Sequence, residues 1–220
     1  MIEYYNEDCM EGMKRYKDKH FDLAIVDPIY GDVTPGSYMS NPHTSDKKAK
    51  AKDYHLSIWS QQKTPKEYFV ELIRISKNQI IWGGNYFQTA ISQDSQCWIV
   101  WDKENGENNF ADCELAWTSF NTAVRKFSFR WAGMLQGDMK NKESRIHPTQ
   151  KPVKLYKWLL HNYAKKGDLI LDTHVGSASS LIACYDMGFD AVGFELDKDY
   201  YEASKKRLGD FMAQGRLFDE

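Results

Sequence analysis

Short apolar runs alternate with amphipathic segments along this chain, and the alternation predicts an α/β fold. Phe21–Val26 is a β-prone run that ends at Asp27-Pro28, where proline cannot continue a central strand. Thr64 is the expected N-cap of the next helix, with Pro65 in its first turn and Glu67 completing a capping box. Further strands are predicted over residues 79–82, 97–101, 113–118 and 124–131, the last because apolar and basic residues alternate there.

The last third of the chain repeats a helix–strand pattern. Pro152 begins a helix that closes near Gly167, and a strand over 169–172, a helix over 177–187, a strand over 190–195 and a helix over 199–212 follow. This run implies parallel strands joined by right-handed crossovers. The whole pattern predicts a doubly wound, mostly parallel Rossmann-like sheet with helices on both faces.

The length of 220 residues suits one α/β domain covering residues 1–220 and is too short for two. Residues 31–62 are rich in Gly, Pro, Ser, Asn and Lys, which predicts a long flexible loop. No run approaches membrane-spanning length and no signal-peptide pattern is present, so we expect a soluble cytoplasmic protein. The four cysteines show no CxxC spacing, which predicts reduced thiols and no metal site.

The net charge of −2 does not by itself indicate a nucleic-acid binder. The basic residues are nevertheless clustered. One cluster lies in the predicted loop and the other follows residue 124; they comprise Lys47, Lys48, Lys50 and Lys52, and Arg125, Lys126, Arg130, Lys140, Lys142 and Arg145.

Acidic residues end two strands of the closing βα run, which is where ligands bind in parallel sheets. Asp172 ends one strand, and Gly176-Ser177 permits a tight turn into the next helix. Glu195 ends the neighbouring strand at a spacing that suits hydrogen bonds from ribose hydroxyls. The turn lacks the GxGxxG pattern that a pyrophosphate needs, so S-adenosylmethionine fits better than NAD.

A second constellation follows the first strand. The amino group of adenine or cytosine is a poor nucleophile, because its lone pair is delocalised into the ring. The Asp27 carboxylate and the fixed carbonyl of Pro28 are two acceptors that can favour a pyramidal nitrogen, and Tyr30 can stack on the base. A sulfonium methyl donor is already activated, so positioning and electrostatics can supply most of the acceleration.

These segments resemble known motifs. Asp27-Pro28-Ile29-Tyr30 is similar to the Asp-Pro-Pro-Tyr signature of amino-group DNA methyltransferases. Residues 147–152, His-Pro-Thr-Gln-Lys-Pro, look like the element that precedes the cofactor strand in the permuted β group of that family. Residues 193–195 and 206–208 resemble its closing segment, and residues 80–86 resemble short phage-type members. The likeness covers nearly the whole chain.

The resemblance implies roles for individual residues. Asp27 and Pro28 would hold the target amine, and Tyr30 would stack on the flipped base. S-adenosylmethionine would be bound by Asp27 as well and by the remaining positions: Asp172, Gly176 and Ser177 at its methionine end, Glu195 at its ribose, Asp8 and the backbone of Cys9 at its adenine, and Thr149, Gln150 and Lys151 at its carboxylate. Asp8 as a solvated turn residue is the alternative.

Reaching a base in duplex DNA requires flipping it out of the stack. Lys47, Lys48 and Lys50 would then close over DNA beside Tyr30. Residues 121–146 would form a short target-recognition segment, in which Arg125, Lys126, Arg130 and Lys140 meet phosphates or guanine edges. Because this segment is short, we expect a brief recognition sequence or help from a second subunit.

The leading hypothesis is therefore methylation of adenine N6 in duplex DNA, because cytosine N4 enzymes of the family more often carry serine at the position of Asp27. Cytosine N4 methylation is the alternative within the class. Ile29 and Ala178 depart from the family's proline and glycine, which keeps open a catalytically weak DNA-binding module. His174 replaces a phenylalanine and is expected to pack as a neutral ring. A homodimer and a cognate restriction endonuclease are expected partners.

Overall fold

A computed structural model of the protein describes residues 1–31, 63–106, 111–132 and 135–215. The strands it contains are β1 (Ile2–Asn6), β2 (Phe21–Val26), β3 (Ser76–Trp82), β4 (Ile99–Asp102), β5 (Cys113–Thr118), β6 (Arg125–Ser128), β7 (Trp131–Ala132), β8 (Leu135–Gln136), β9 (Leu169–Asp172) and β10 (Asp190–Glu195). The helices are α1 (Cys9–Met13), α2 (Lys66–Ile75), α3 (Gln88–Ile91), α4 (Val153–Tyr163), α5 (Ser179–Asp186) and α6 (Lys198–Gly215), with a 3₁₀ turn at Gly84–Tyr86. The predicted loop with Lys47, Lys48 and Lys50 lies outside the described residues, apart from Gly31.

Eight strands form one sheet in the order β1-β10-β9-β2-β3-β5-β4-β6. The first five strands are parallel to one another, β5 is antiparallel to both β3 and β4, and β6 is parallel to β4. The prediction of a mostly parallel Rossmann-like sheet is confirmed. Since parallel strands end at one edge, the residues that follow β1, β2, β9 and β10 meet there.

Alternate residues of each central strand enter two separate cores. In β2, Leu23 and Ile25 join the core beneath α4, α5 and α6, whereas Ala24 and Val26 join the core beneath α1, α2 and α3. A strand with helices on both faces is buried on both sides, which explains why β2 is apolar without alternation. This confirms the prediction of helices on both faces.

Four predicted strands have the observed bounds: Phe21–Val26, Cys113–Thr118, Leu169–Asp172 and Asp190–Glu195. The strand predicted over 124–131 is wrong in extent. It ends at Ser128, and after a short break the chain resumes as β7, which pairs with β8 outside the main sheet. The Phe129 amide still donates to the Asp102 carbonyl at 3.0 Å, as the last hydrogen bond in register with the pairing of β4 and β6.

The predicted cap of α2 is also wrong. Pro65 occupies the N-cap position, and no side chain caps the helix. Thr64 instead donates from both its hydroxyl, at 2.9 Å, and its amide, at 2.8 Å, to the carbonyl of Ile29. The threonine therefore ties the start of α2 to the segment that follows β2.

Among the described residues, no helix is both long and apolar enough to cross a bilayer.

Gly193 in β10 gives a test of the packing between the sheet and α5. A Cβ added at Gly193 would lie 2.7 Å from Val175 Cγ2 and 3.0 Å from Leu181 Cδ1. We expect Gly193→Ala to lower the free energy of unfolding by about 1–3 kcal/mol through overpacking. Gly209 in α6 has nothing within 4 Å of an added Cβ, so Gly209→Ala is expected to raise stability by up to about 1 kcal/mol. Urea denaturation measures both, and destabilisation by Gly209→Ala alone would contradict this account.

Candidate active site

A cavity of about 360 Å³ opens at the carboxyl edge of the parallel strands. This is a typical size for a small-ligand site, roughly 300–1,000 Å³. It is lined by residues from both ends of the chain, among them Asp8, Cys9, Asp27, Pro28, Tyr30, Lys151, Gly176, Ser177 and Glu195. The two predicted constellations, one after β2 and one after β9, therefore share one cavity.

The Asp27 carboxylate is held by the ammonium group of Lys151. Lys151 Nζ binds Asp27 Oδ2, and the lysine side chain is only 2% exposed. The other oxygen, Asp27 Oδ1, is buried and has no hydrogen-bond partner among the described residues. Asp27 thus has one oxygen engaged within the protein and one that remains an acceptor.

Burial raises the pKa of Asp27 above its ordinary value, and the positive charge of Lys151 opposes this rise. Burial acts in the opposite sense on Lys151, but Asp27 and Glu114 outweigh it, so the net pKa of the lysine is raised. Lys151 is therefore a permanent cation rather than a base.

The Tyr30 ring packs directly against Gly83, a position where only glycine leaves room for it. Gly83 has a left-handed φ of 65°, and a Cβ added there would lie 2.6 Å from Tyr30 Cδ1. One face of the Tyr30 ring stacks on Tyr86, with centroids 4.7 Å apart and an interplanar angle of 7°. Tyr86 itself is 52% exposed. The two rings form an aromatic platform at the cavity wall.

Ile29 stands where the family motif has a second proline. Its carbonyl accepts both hydrogen bonds from Thr64, so α2 provides a restraint on the backbone beside Pro28. The motif segment is fixed here by tertiary hydrogen bonds instead of a second ring.

Gly176 and Glu195 are joined directly. The Gly176 amide donates to Glu195 Oε2 at 2.8 Å, and the Asp197 amide donates to Oε1 at 2.9 Å. Burial nevertheless raises the pKa of Glu195 to about 7, even though both amides favour its charged form. Gly176 has a left-handed φ of 55°, a conformation that favours glycine, and a Cβ added there would make an ordinary contact with the His147 ring at 3.4 Å.

Asp172 does not lie in the cavity wall. Its carboxylate accepts from Ser180 Oγ at 2.5 Å and from the His174 amide at 2.9 Å. Burial raises its pKa to about 6. In this geometry Asp172 fixes the turn that carries Gly176 and Ser177, whereas a direct contact with a cofactor remains a prediction.

Asp8 and Cys9, at the start of α1, also line the cavity. Asp8 is the N-cap of α1 and accepts from the Met10 amide at 2.7 Å. Burial raises the pKa of the Cys9 thiol to about 12, which keeps it neutral. Asp8 is thus both a helix cap and a cavity residue.

Sequence reasoning did not assign several residues of the wall. Tyr68 Oη lies 2.5 Å from Thr173 Oγ1, which in turn lies 2.9 Å from His174 Nδ1. Burial lowers the pKa of His174 to about 4, as the expected neutral ring requires. His147 is neutral for the same reason, with Lys151 as a second cause. The place of His147 in the motif at residues 147–152 could indicate that it lies near the cofactor. Nothing in the sequence pattern of α2 indicates that Tyr68 lines the cavity.

The predicted DNA-contacting residues fall into two groups. Arg125 begins β6 and therefore lies toward the sheet edge opposite the cavity, whereas Arg130 follows β6 and lies toward the cavity edge. Lys126 is paired with Asp102 at 3.2 Å, and Lys140 lies in an exposed turn. The Trp131 indole donates to the Gln150 carbonyl at 2.8 Å, which joins this segment to the residue before Lys151.

No cluster of potential metal ligands occurs in the parts of the chain that the structure describes. Within the cavity Asp27 and Lys151 form an ion pair, and backbone amides bind the Glu195 carboxylate.

The family model described as DNA methylase matches residues 11–206. The chain belongs to this family of DNA methyltransferases, which act on N6 or N4 amino groups. The type II methyltransferase M2.MboI of Moraxella bovis is 23% identical over 92% of this chain and 86% of its own length. M.HpaI of Haemophilus parainfluenzae is 37% identical over 68 residues, which span 31% of this chain and only 22% of that relative.

Solved structures agree on the fold. The M1.HpyAVI complex with S-adenosylmethionine covers 94% of this chain and 100% of its own, with a TM-score of 0.59 and 20% identity. The cytosine-N4-specific PvuII DNA methyltransferase covers 96% and 90%, with a TM-score of 0.57 and 12% identity. The predicted family and fold are confirmed, and the prediction of S-adenosylmethionine as cofactor agrees with these relatives.

The raised pKa of Glu195 predicts that cofactor affinity depends on pH. A carboxylate accepts hydrogen bonds from ribose hydroxyls best when ionised, so binding should be strongest above pH 7 and weaken as the pH falls through 7. We expect the Kd for S-adenosylmethionine to rise by up to about tenfold per pH unit below 7. Calorimetry between pH 6 and 8 measures this.

Glu195→Gln is the matched control, because it keeps the shape and removes the titration. Its Kd should be raised at pH 8 and should vary less with pH. Parallel pH dependences in the two proteins, or unchanged affinity at pH 8, would count against the predicted role of Glu195.

Proposed function

We propose that this protein transfers a methyl group from S-adenosylmethionine to adenine N6 in duplex DNA by flipping the base into the cavity. The observation that supports this most strongly is the shared cavity. Asp27 and Tyr30 on one side and Gly176 and Glu195 on the other line the same space. A methyl donor and a base bound to these two sets of residues would face each other.

The residues around Gly176 suit the cofactor. Glu195 is 7% exposed and presents a carboxylate near the left-handed turn at Gly176. His147 and Ser177 line the same cavity, and the lowered pKa of His147 keeps its ring neutral. Neither residue therefore places a charged side chain at this turn. The lack of a phosphate cradle favours a nucleoside with a sulfonium group, which supplies an activated methyl when bound.

The Asp27 carboxylate suits the amine. Transfer forms an N–C bond, breaks the sulfonium C–S bond and leaves the nitrogen to lose one proton. Asp27 Oδ1 is the free acceptor, so it would take a hydrogen bond from the amino group as positive charge develops. Its raised pKa also suits it to receive the departing proton. The Pro28 carbonyl would accept the second amino hydrogen.

The aromatic platform suits an extruded base. Tyr30 is supported from behind by Tyr86, and its position is fixed by Gly83 and by the Ile29–Thr64 hydrogen bonds. Stacking on such a ring is worth about 1–3 kcal/mol per base, which offsets part of the cost of flipping.

The preference for adenine rests on the resemblance of the motif, in which aspartate at the position of Asp27 is more common among N6 enzymes. A carboxylate can also accept from cytosine N4, so the chemistry of the cavity is compatible with both bases. The expectations of a homodimer and a restriction endonuclease partner follow from the same resemblance.

Mass spectrometry of nucleosides tests the proposal. DNA treated with the protein and S-adenosylmethionine should yield N6-methyl-2′-deoxyadenosine, and Asp27→Asn should lower the rate by about 10²-fold or more because a charged acceptor is lost. Its affinity for S-adenosylmethionine should stay within about twofold. N4-methylcytosine alone would overturn the choice of base.

Asp27→Asn is preferred to Asp27→Ala for this purpose. The alanine variant would remove every acceptor that residue 27 offers to the buried Lys151 ammonium, which costs about 3–5 kcal/mol and confuses activity with folding, whereas asparagine keeps a side-chain oxygen for it. Absence of any methylated nucleoside, with DNA binding intact, would instead favour a binding module that retains the fold.

The topology of β6 predicts which basic residues meet DNA. Replacing both Arg130 and Lys140 with glutamine should weaken duplex binding and lower the salt dependence by about one unit of slope per lost phosphate contact. Arg125→Gln should have a smaller effect, because Arg125 lies toward the opposite edge. Fluorescence anisotropy at several salt concentrations measures this.

The matched control replaces Lys165 and Lys166 with glutamine. Both are exposed and precede β9, at the edge away from the cavity. Equal losses in the two double variants would show that general charge, rather than the cavity edge, governs DNA binding.

A further inference from the structure

Four charged side chains form a row of alternating sign that ends at Asp27. Lys103 Nζ lies 2.5 Å from Glu114 Oε1, and Glu114 Oε2 lies 3.2 Å from Lys151 Nζ. Lys151 Nζ in turn binds Asp27 Oδ2. The side chains of Lys103 and Glu114 are only 17% and 24% exposed, so the row is largely shielded from water.

The sheet brings these residues together. Glu114 lies near the start of β5 and Lys103 directly follows β4, and the antiparallel pairing of Asp102 with Cys113 places both at the cavity edge. The backbone fixes this arrangement further, since the Lys103 amide donates to the Asp112 carbonyl at 2.9 Å and the Lys103 carbonyl accepts from Trp131 at 3.2 Å.

The ammonium group of Lys151 is constrained on more than one side. Glu114 approaches it from β5, Asp27 from the end of β2, and the Trp82 ring lies 5.4 Å from Nζ. A lysine is a compact cation on a flexible stem with three rotatable donors. With Asp27 as its sole carboxylate, it would be free to swing between the two Asp27 oxygens.

We infer that Glu114 is a positioning residue for the reaction, held by Lys103, and that it anchors Lys151 so that one oxygen of Asp27 stays available for the target amine. The inference rests on the proposed role of Asp27 in methyl transfer. Glu114 and Lys103 do not line the cavity, so neither is placed in contact with the base or the cofactor.

The charges near Asp27 predict opposite effects on its pKa when Glu114 or Lys103, the two members of the row farthest from it, is neutralised. Lys151 and Lys103 lower the pKa of Asp27, whereas Glu114 raises it. The other titratable groups nearby are Asp172 from β9, Tyr156 from α4 and Tyr68 from α2. None of these changes in variants of Glu114 or Lys103.

The experiment measures the pH dependence of the rate constant for methyl transfer in a single turnover, with saturating DNA and S-adenosylmethionine. Glu114→Gln keeps a side-chain oxygen for Lys151 but removes the negative charge, so the acidic limb should move to lower pH, by roughly 0.5 pH unit. Lys103→Met removes a positive charge, so the limb should move to higher pH.

A third variant tests position apart from charge. Glu114→Ala removes the anchor, and we expect kcat to fall about tenfold or more while KM for S-adenosylmethionine stays within about twofold. Glu114→Gln should restore most of that loss. Glu71→Gln is the matched control, because Glu71 is also a partly buried, ion-paired glutamate but belongs to α2 and lies outside the row.

Shifts of opposite sign in Glu114→Gln and Lys103→Met, with none in Glu71→Gln, support the inference. Equal profiles in all three variants, or shifts of one sign, overturn it. If a thermal melt shows that Glu114→Gln does not fold, the Lys103→Met variant decides. A shift of its acidic limb to higher pH supports the inference, and an unchanged profile overturns it. Failure of the wild-type protein to methylate DNA would refute the proposed function, whereas normal wild-type activity lost in Asp27→Asn with no shifts would refute this inference alone.

Discussion

The ion pair between Asp27 and Lys151 is the interaction on which the site depends. It joins residues 124 positions apart in the chain, one following β2 and the other preceding α4 and the closing βα run. Without it, the carboxylate would be a buried charge with no compensation, and the two halves of the cavity would lose their direct link. The pair also gives the two Asp27 oxygens different roles, because Oδ2 binds Lys151 whereas Oδ1 remains available to a ligand.

The sheet makes this link possible regardless of the order of the segments. In a parallel sheet the position of a residue is set by the strand it follows, and β2 and β9 are neighbours although they are far apart in sequence. The cofactor half can therefore be encoded last and still face the half that handles the base. What the topology requires is a connection such as residues 147–152, which crosses the cavity edge and brings Lys151 beside Asp27.

The buried strand Phe21–Val26 could be predicted from sequence to the residue, because a continuous apolar run bounded by Asp, Gly or Pro has few alternative readings. The central strand β3 begins three residues before its predicted start at Gln79. The edge strand β1 was missed because most of its residues are exposed and its pattern is polar. Asp27, Gly176 and Glu195 were found from their places at strand ends. Thr64 was misassigned because a local capping rule competed with a tertiary partner, the Ile29 carbonyl, that no local pattern reveals.

Buried ion pairs are weak evidence for stability, because desolvation offsets most of the attraction, and apolar residues of similar volume often serve a fold equally well. The row from Lys103 to Asp27 places four charges in a largely dry region beside a core that contains Trp82 and Trp101. A requirement for stability alone gives no reason to keep them. A functional requirement does give a reason, because the reaction needs one carboxylate oxygen that is charged, fixed in direction and left unpaired by the described residues. The row meets this requirement, since each of its members orients the next.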